Sequence, residues 1–303
     1  MTASRLPPRR LAVTVPPEMD GWRAGKVIRV SFRLSGTLLR RIKWLEDGIL
    51  LDGERVTVRR AVKAGQSLSV RVGDDGVKSG IVPAEGPLEI VYEDEDLLVV
   101  NKQAGVLSHP GHGHFDDTLG NFVLWYYGQT GLQADYHPVH RLDKGTTGLL
   151  VVAKHVYAQE CMKAALHTPD FRRVYLAVCD GVPDPPRGVV DAPIRRAEGS
   201  LLRREVGEGG LPARTAYETL SVHGGRAFVR LELDTGRTHQ IRVHMAHLGC
   251  PLTGDFLYGA EDRALISRPA LHSAELWLRR PVSGQPLHLT APLPDDIRAL
   301  LPP

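Results

Sequence analysis

The sequence predicts an α+β fold, in which a mixed, largely antiparallel central sheet is flanked by helices and preceded by a small α+β module. Hydrophobic residues make up 42% of the 303-residue chain and charged residues 24%, a composition that is typical of a globular protein with a buried core. The predicted strands and helices do not alternate regularly, which disfavours a doubly wound parallel sheet. Charge is also distributed unevenly, since residues 1–80 hold 16 Lys or Arg and 8 Asp or Glu, whereas residues 81–303 hold 22 and 27. A basic front part is therefore expected before a mildly acidic main body.

The front of the chain is predicted to hold a flexible tail and a small module. Residues 1–21, with prolines at positions 7, 8, 16 and 17, are assigned to the tail. In the module, residues 22–80, Ser35 is expected to cap a helix that runs to about residue 46. Strands are predicted over residues 26–33, 49–51, 55–58 and 68–72, and the Asp52-Gly53 pair favours a hairpin turn. The helix has an apolar and a basic face: Leu38, Leu39, Ile42 and Leu45 on the first, Arg40, Arg41 and Lys43 on the second.

A linker over residues 81–87 leads into the main body, residues 88–303. Its predicted strands cover residues 88–92, 97–101, 149–153, 173–178, 214–220, 227–233, 271–278 and 287–290. Helices are predicted over residues 117–127, 156–166 and 238–248, the last of them ended by Gly249. A polar loop over residues 136–147 stands directly before a buried strand.

Several protein classes are disfavoured by what the sequence lacks. No apolar run approaches the roughly 20 residues of a membrane span, and the N-terminus has no apolar signal region, so no membrane partner is expected. The three cysteines, Cys161, Cys179 and Cys250, form no C-x-x-C pair, which is typical of reduced thiols in a cytoplasmic protein. Neither a P-loop nor a dinucleotide-binding motif is present, so the sequence predicts no cofactor.

Two segments bring charged side chains together in patterns that suit catalysis. In residues 137–154, Asp143 lies beside His140 and Arg141 on a loop; neighbouring cations keep a carboxylate ionised, as a nucleophile requires. A structural aspartate that caps a turn or pairs with Arg141 would give the same pattern. In residues 234–247, Arg237, His239 and Arg242 fall near the start of a helix. They suit a polyanion or a buried carboxylate, and equally a solvated basic helix face.

Two further segments are ambiguous by themselves. Tyr175 lies on an alternating strand and fits a core tyrosine with a satisfied hydroxyl. Residues 109–117 contain an H-x-H-x-D spacing, and His239, His244 and His247 add further imidazoles, which raises the alternative of a metallohydrolase. Because residue 117 is Asp and no ordered ligand series follows, no metal ligand is assigned.

Taken together, the segments resemble the RluA-type family of RNA pseudouridine synthases over about residues 88–300. Four anchors carry the resemblance in order: residues 92–102 (YEDEDLLVVNK), His140-Arg-Leu-Asp143 with Thr147-Gly-Leu-Leu150, Arg173-Val-Tyr175, and Gly236-Arg-Thr-His-Gln-Ile-Arg242 with Gly254-Asp255 beyond. The front module resembles, less closely, the α-L RNA-binding type of a ribosomal small-subunit protein. The resemblance implies the pseudouridine synthase fold and the isomerisation of uridine to pseudouridine in RNA, without a cofactor.

The resemblance also implies roles for individual residues. Asp143 matches the catalytic aspartate, Tyr175 the tyrosine that stacks on the target base and assists proton removal from carbon 5, and Arg242 the cation paired with the aspartate. Arg141 matches the residue that fills the gap left by a flipped base, at a site where base flipping costs a few kcal/mol. The remaining predicted RNA contacts follow from the charge pattern: His140, Arg237 and His239 at the site and Arg40, Arg41 and Lys43 on the module.

The expected partner is large-subunit ribosomal RNA or transfer RNA, bound by a monomer with no obligatory protein partner. The alternatives are a non-catalytic RNA-binding or ribosome-assembly protein on the same fold and the metallohydrolase. How the carboxylate acts stays open between attack on the sugar, attack on the base, and a glycal route.

Overall fold

The computed structural model describes residues 5–74 and 76–302. The front part contains a four-stranded sheet, in the order β1-β4-β2-β3, and two helices. Its elements are β1 (Arg10–Thr14), α1 (Ala24–Phe32), α2 (Gly36–Ile42), β2 (Ile49–Leu51), β3 (Glu54–Arg55) and β4 (Ser67–Arg71).

Two predictions for this part are wrong. Residues 10–14 of the predicted flexible tail form β1, which pairs antiparallel with β4 from Arg10 opposite Arg71 to Thr14 opposite Ser67. The prolines at 7, 8, 16 and 17 flank this strand and leave its backbone donors free for pairing. The strand predicted over residues 26–33 lies in helix α1, because Ala24, Val27 and Ile28 follow helical spacing and are all completely buried.

Helix α2 confirms the expected division of faces. The Ser35 side chain accepts a hydrogen bond from the backbone N–H of Leu38 at 3.0 Å, so it caps the helix as predicted. Leu38, Leu39 and Ile42 are buried, whereas Arg40 and Arg41 are exposed. The helix ends earlier than predicted, at Ile42.

The main body contains ten strands of one mixed sheet, a separate two-stranded hairpin and four helices among the described residues. The sheet runs β10-β13-β14-β9-β15-β8-β6-β5, with β16 added on β15 and β7 on β8, and the β15–β8 pair is parallel while the other pairs are antiparallel. This arrangement confirms the predicted α+β fold. Its elements are β5 (Ile90–Glu93), β6 (Leu97–Lys102), α3 (Leu119–Thr130), β7 (His137–Pro138), β8 (Thr147–Ala153), α4 (Val156–Ala165), β9 (Phe171–Asp180), β10 (Arg187–Asp191), β11 (Ile194–Arg196), β12 (Arg204–Val206), β13 (Arg214–His223), β14 (Arg226–Leu233), α5 (Gln240–His247), β15 (Leu271–Arg279), β16 (Pro286–Thr290) and α6 (Asp295–Arg298).

The front part docks on the start of helix α4. Tyr157 is buried in the hydrophobic core of the front part, and its hydroxyl donates to the carbonyl of Phe32 at 2.8 Å. Nearby, the Arg9 guanidinium and the His155 imidazole each contact Asp96 Oδ1 at 3.0 Å. An aromatic anchor and a charged cluster therefore hold the two parts together. No helix in the described ranges is both long and apolar enough to cross a membrane.

Candidate active site

A cavity of about 680 Å³ opens on the main body between the loop before β8, strand β9 and the start of α5. The side chains of all seven residues predicted for the catalytic site line it: His140, Arg141, Asp143, Tyr175, Arg237, His239 and Arg242. Sequence positions that are as much as 102 residues apart thus meet at one place. The three predicted module residues, Arg40, Arg41 and Lys43, lie elsewhere, on or next to helix α2.

Asp143 is carried by a loop that is fixed on both sides. The Ser108 hydroxyl donates to the Leu142 carbonyl at 2.7 Å and accepts from the Leu142 N–H at 3.1 Å. Lys102 is 2% exposed, and its ammonium donates to the carbonyls of Gln103 and Val106 at 2.9 and 2.8 Å and to the Lys144 carbonyl at 3.4 Å. Burial lowers the pKa of Lys102 to about 7, against the opposing effect of the Asp143 charge. The loop that carries the carboxylate is therefore fixed by Ser108 and by the Lys102 side chain.

Arg242 lies between two carboxylates. Its Nη1 is 4.0 Å from Asp143 Oδ2, while its Nε and Nη2 each donate to an oxygen of Asp255 at 2.7 Å. Burial lowers the pKa of Arg242, but the hydrogen bonds and charge of Asp255 outweigh burial, so the pKa is raised and the guanidinium stays charged. Asp255 is fully buried and belongs to a motif noted in the sequence, but its part in orienting Arg242 was not predicted.

Helix α5 begins at a residue with unusual backbone geometry. His239 has a φ of 57°, in the left-handed region, and its Nδ1 is hydrogen-bonded to the Tyr258 hydroxyl at 2.9 Å. The Tyr258 ring also lies 5.0 Å from the Arg242 guanidinium. Gln240 holds the preceding turn, since its side-chain oxygen accepts from the Arg237 N–H at 3.0 Å. The turn thus aims His239 and Arg242 into the cavity.

The remaining predicted residues of the cavity differ in how exposed their side chains are. Arg141 is exposed at its edge, and Arg237 donates from Nε to the Pro212 carbonyl at 3.0 Å. Tyr175 is 4% exposed, and burial raises the pKa of its phenol, which is therefore neutral. Burial and, secondarily, the nearby charge of Arg173 lower the pKa of His140 to about 3, so its imidazole is neutral as well.

The histidines behind the metallohydrolase alternative do not gather. His114 pairs with Asp117 at 2.6 Å near the surface, His239 faces Tyr258, and His244 contacts Thr215 at 2.8 Å. Among residues 5–74 and 76–302, no three His, Cys, Asp or Glu side chains are arranged to hold a metal ion.

The comparison with known proteins identifies the family. The family model for RNA pseudouridylate synthase matches residues 96–247, half of the chain. The chain belongs to this family. This pseudouridine synthase is 39% identical over 268 residues to the uncharacterized RNA pseudouridine synthase YjbO of Bacillus subtilis, covering 88% of this chain and 94% of that one. It is 37% identical over 300 residues to the ribosomal large subunit pseudouridine synthase D of Nitrosomonas europaea, covering 96% and 87%.

A solved structure agrees with the assignment. The human RNA pseudouridylate synthase domain containing 4 superposes with a TM-score of 0.57 at 27% identity, over 70% of this pseudouridine synthase and 90% of that protein. These findings confirm the family resemblance and the predicted activity: the protein is an isomerase that converts uridine in RNA to pseudouridine. They replace the metallohydrolase alternative. The likeness of the front part to the α-L type stays a prediction.

Proposed function

We propose that the protein modifies uridine in large-subunit ribosomal RNA and that Asp143 is its catalytic residue. The observation that carries the proposal is the placement of the Asp143 carboxylate, 19% exposed, in one cavity with the Tyr175 ring and the Arg242 guanidinium. At the 4.0 Å separation from Arg242, a unit charge stabilises the carboxylate by about 4 kcal/mol at an effective dielectric constant near 20. Several relatives are ribosomal large subunit pseudouridine synthases, which favours this RNA over transfer RNA.

The other cavity residues suit the handling of a flipped nucleotide. The exposed Arg141 presents a guanidinium plane at the edge of the cavity, where it would stack in the space that the target base vacates. The neutral, buried phenol of Tyr175 favours a role as a stacking surface for the base over a role as a strong base. His140, Arg237 and His239 would contact the nucleotide around its periphery.

The proposal is tested by mapping pseudouridines in cellular RNA with and without the gene, and then by complementing the deletion. Asp143→Asn should fail to restore the missing modification. Asp295→Asn should restore it, since Asp295 lies in α6, outside the cavity lining, and has a 96% exposed side chain. A modification restored by folded D143N would refute the role of Asp143. A site found only in transfer RNA would refute the choice of substrate. Wild-type protein that binds RNA without modifying it would support the non-catalytic alternative.

We further propose that the surface of helix α2 binds RNA phosphates. Arg40 and Arg41 are exposed, the Lys43 ammonium lies 4.8 Å from the Trp44 ring centre, and that ring is 76% exposed. A cationic surface with an accessible aromatic ring suits both phosphate contacts and base stacking. Deleting residues 1–80 would weaken binding but would also uncover Tyr157, so point substitutions isolate the charge better.

The test compares two triple variants that remove the same charge. Arg40, Arg41 and Lys43 changed to Gln should lower the slope of log affinity against log salt by roughly two to three, because each phosphate contact releases counterions. Arg187, Arg263 and Arg298, which are exposed and paired with acids, serve as the control triple. Equal slopes for the two triples would refute the proposed surface.

A further inference from the structure

Arg173 is a buried cation without an acidic partner. Arg173 is 2% exposed. Within the described ranges, its Nη2 donates only to the carbonyls of Leu233 and Thr235, both at 3.4 Å, and its Nε has no hydrogen-bond partner. The next residue back, Arg172, points to the opposite face of β9 and is exposed, where it forms a two-pronged ion pair with Glu232. Neighbouring arginines on one strand thus have opposite environments.

An unpaired guanidinium at such depth is unfavourable unless something else accepts its hydrogen bonds. Burial lowers the pKa of Arg173, and the groups at Tyr175 and Asp234 only oppose this effect. Asp234 itself is exposed and paired with Arg214. A buried donor without an acceptor costs the free energy of removing the donor from water, with no hydrogen bond to offset it. The site is therefore suited to receive an acceptor from a ligand.

The position of Arg173 says where that acceptor would lie. Residues two apart on a strand share a face, so Arg173 and Tyr175 both face the cavity that Asp143 lines. Gly236 packs against the guanidinium, since a Cβ there would lie 3.1 Å from Nη1. An acceptor at Arg173 would therefore stand beside the Tyr175 ring, at the edge of any base stacked there.

His140 supplies a second unmet donor in the same wall. Its Nε2 accepts from the Val151 N–H at 3.2 Å, so in the neutral ring the proton lies on Nδ1. That Nδ1 is buried and, across the part of the chain that the structure describes, has no hydrogen-bond partner. The Arg141 backbone also acts on this ring, so His140 is weaker support than Arg173. The two N–H groups suit a ligand that carries hydrogen-bond acceptors such as carbonyl oxygens.

We propose that the Arg173 guanidinium donates a hydrogen bond to a carbonyl oxygen of the target uracil and stabilises the negative charge that the base acquires during the reaction. The inference rests on the proposed function. When the C1′–N1 bond breaks, its electron pair stays with the uracil and spreads onto O2 and O4. The electron deficiency left at C1′ is removed either by a new bond from the Asp143 carboxylate to C1′ or by loss of a proton from C2′, which forms a C1′–C2′ double bond. Rejoining reverses that step: a C5 electron pair forms the C5–C1′ bond, C5 loses its proton and N1 gains one.

The same contact serves if the carboxylate attacks the base. Addition to C6 moves the electron pair of the C5–C6 double bond toward O4, which again places charge on a uracil oxygen. In every route the contact strengthens as the charge develops, and a contact of that kind accelerates the chemical step. Arg173 is thereby assigned as a catalytic residue, whereas its place in the Arg173-Val-Tyr175 motif alone gives it no role.

The first test separates chemistry from binding. In single-turnover reactions on a short transcript that carries the mapped uridine, Arg173→Gln should lower the rate of the bound complex roughly 10²–10³-fold. Its RNA affinity should stay within about twofold of wild type, Arg173→Lys should recover part of the rate, and the control Arg172→Gln should retain it. Weakened affinity with a salt slope lower by about one, at an unchanged bound rate, would instead make Arg173 a phosphate ligand and overturn the proposal.

The second test changes the acceptor. The wild-type enzyme and Arg173→Gln are each given the transcript with uridine, 2-thiouridine or 4-thiouridine at the target, since sulfur accepts hydrogen bonds weakly. One thio substitution should slow the wild-type enzyme markedly but slow R173Q much less, and purely multiplicative effects would refute the contact. If thermal unfolding shows that R173Q is not folded, R173K replaces it in the same comparison. Wild-type enzyme that forms no pseudouridine would refute the proposed function itself.

Discussion

Replacing Asp255 with Asn should disable the site by releasing Arg242. One oxygen of Asp255, Oδ1, accepts from Arg242 Nη2 at 2.7 Å and from the backbone N–H groups of Leu257 and Tyr258 at 3.0 and 3.3 Å. The other, Oδ2, accepts from Arg242 Nε at 2.7 Å. The Asn carbonyl can satisfy the three donors at Oδ1, which places its NH₂ group against Arg242 Nε. Two donors then face each other, and the guanidinium must move.

The expected loss of stability follows from the charges that remain. Breaking a buried ion pair by removing one partner costs roughly 3–5 kcal/mol. Asp143 stays at 4.0 Å from Arg242, where it already contributes about 4 kcal/mol of Coulomb attraction, so the lower end, about 3 kcal/mol, is expected. A guanidinium that shifts by an ångström toward Asp143 would bind the carboxylate directly, and a misplacement of that size lowers the rate roughly 100-fold.

The assay compares Asp255→Asn with Asp296→Asn at a temperature where both are folded. Asp296 receives two hydrogen bonds of 2.7 Å from Arg268, so the control breaks a second two-pronged pair that does not line the cavity. Single-turnover rates of pseudouridine formation and urea unfolding are measured for both variants. If D255N loses stability but keeps the wild-type rate, or if D296N loses as much rate, the orienting role of Asp255 is refuted.

Three further predictions concern the fold. Tyr157→Ala should cost roughly 3–5 kcal/mol and speed amide hydrogen exchange mainly over residues 24–72, because the side chain is part of the front core; uniform loss of protection would contradict this. Burial lowers the pKa of His272 to about 4, so the unfolded chain takes up a proton first as the pH falls from about 6.5. Stability should therefore drop by up to about 1.4 kcal/mol per pH unit from this group, and His272→Asn should flatten that dependence. Gly148→Ala should prevent stable folding, because its φ is +107° and a Cβ would lie 2.2 Å from the Ser273 carbonyl oxygen, whereas Gly128→Ala, with open space in helix α3, should be tolerated in thermal unfolding.

The body of the fold was largely predictable because its elements carry strong local signals. Strand β8 is a largely apolar run whose residues are all buried. Gly131 and Gly249 mark the ends of helices α3 and α5. The error at residues 26–33 has a clear cause, since Val27, Ile28 and Val30 favour strands by themselves while burial follows the helical spacing. Strands β10 to β12 were missed because they are short and hold few buried residues.

The candidate site was predictable as a set of residues and not as a set of contacts. Three separated segments carried the seven cavity residues, and any one segment would have fitted a structural role. The contacts that orient them depend on long-range pairing: Asp255 with Arg242, and Ser108 with the Leu142 backbone. No local pattern reports that the Nε of Arg173 lacks a partner among residues 5–74 and 76–302, because this depends on which distant residues lie beside it.

The acidic stretch at the start of the main body shows why net charge is a poor guide to RNA binding. Asp96 is buried and contacts Arg9 and His155, so its charge joins the front part to the main body. Asp94 pairs with Arg280 at 2.8 Å. Burial raises the pKa values of these two carboxyls, but their hydrogen bonds outweigh burial and hold the pKa values below their usual range.

These acids therefore stay ionised with local partners and contribute little field at a distance. The electric fields of two opposite charges a few ångströms apart largely cancel at longer distances. Physiological salt also screens exposed charges over roughly 8 Å, so little of the remaining field extends further. Arg40 and Arg41, by contrast, are exposed on helix α2. The cations that remain accessible, more than the total of +3, set the potential that an approaching RNA meets. If helix α2 binds RNA as proposed, the acidic stretch supports that binding indirectly, because it fixes the basic front part against the body that holds the candidate active-site cavity.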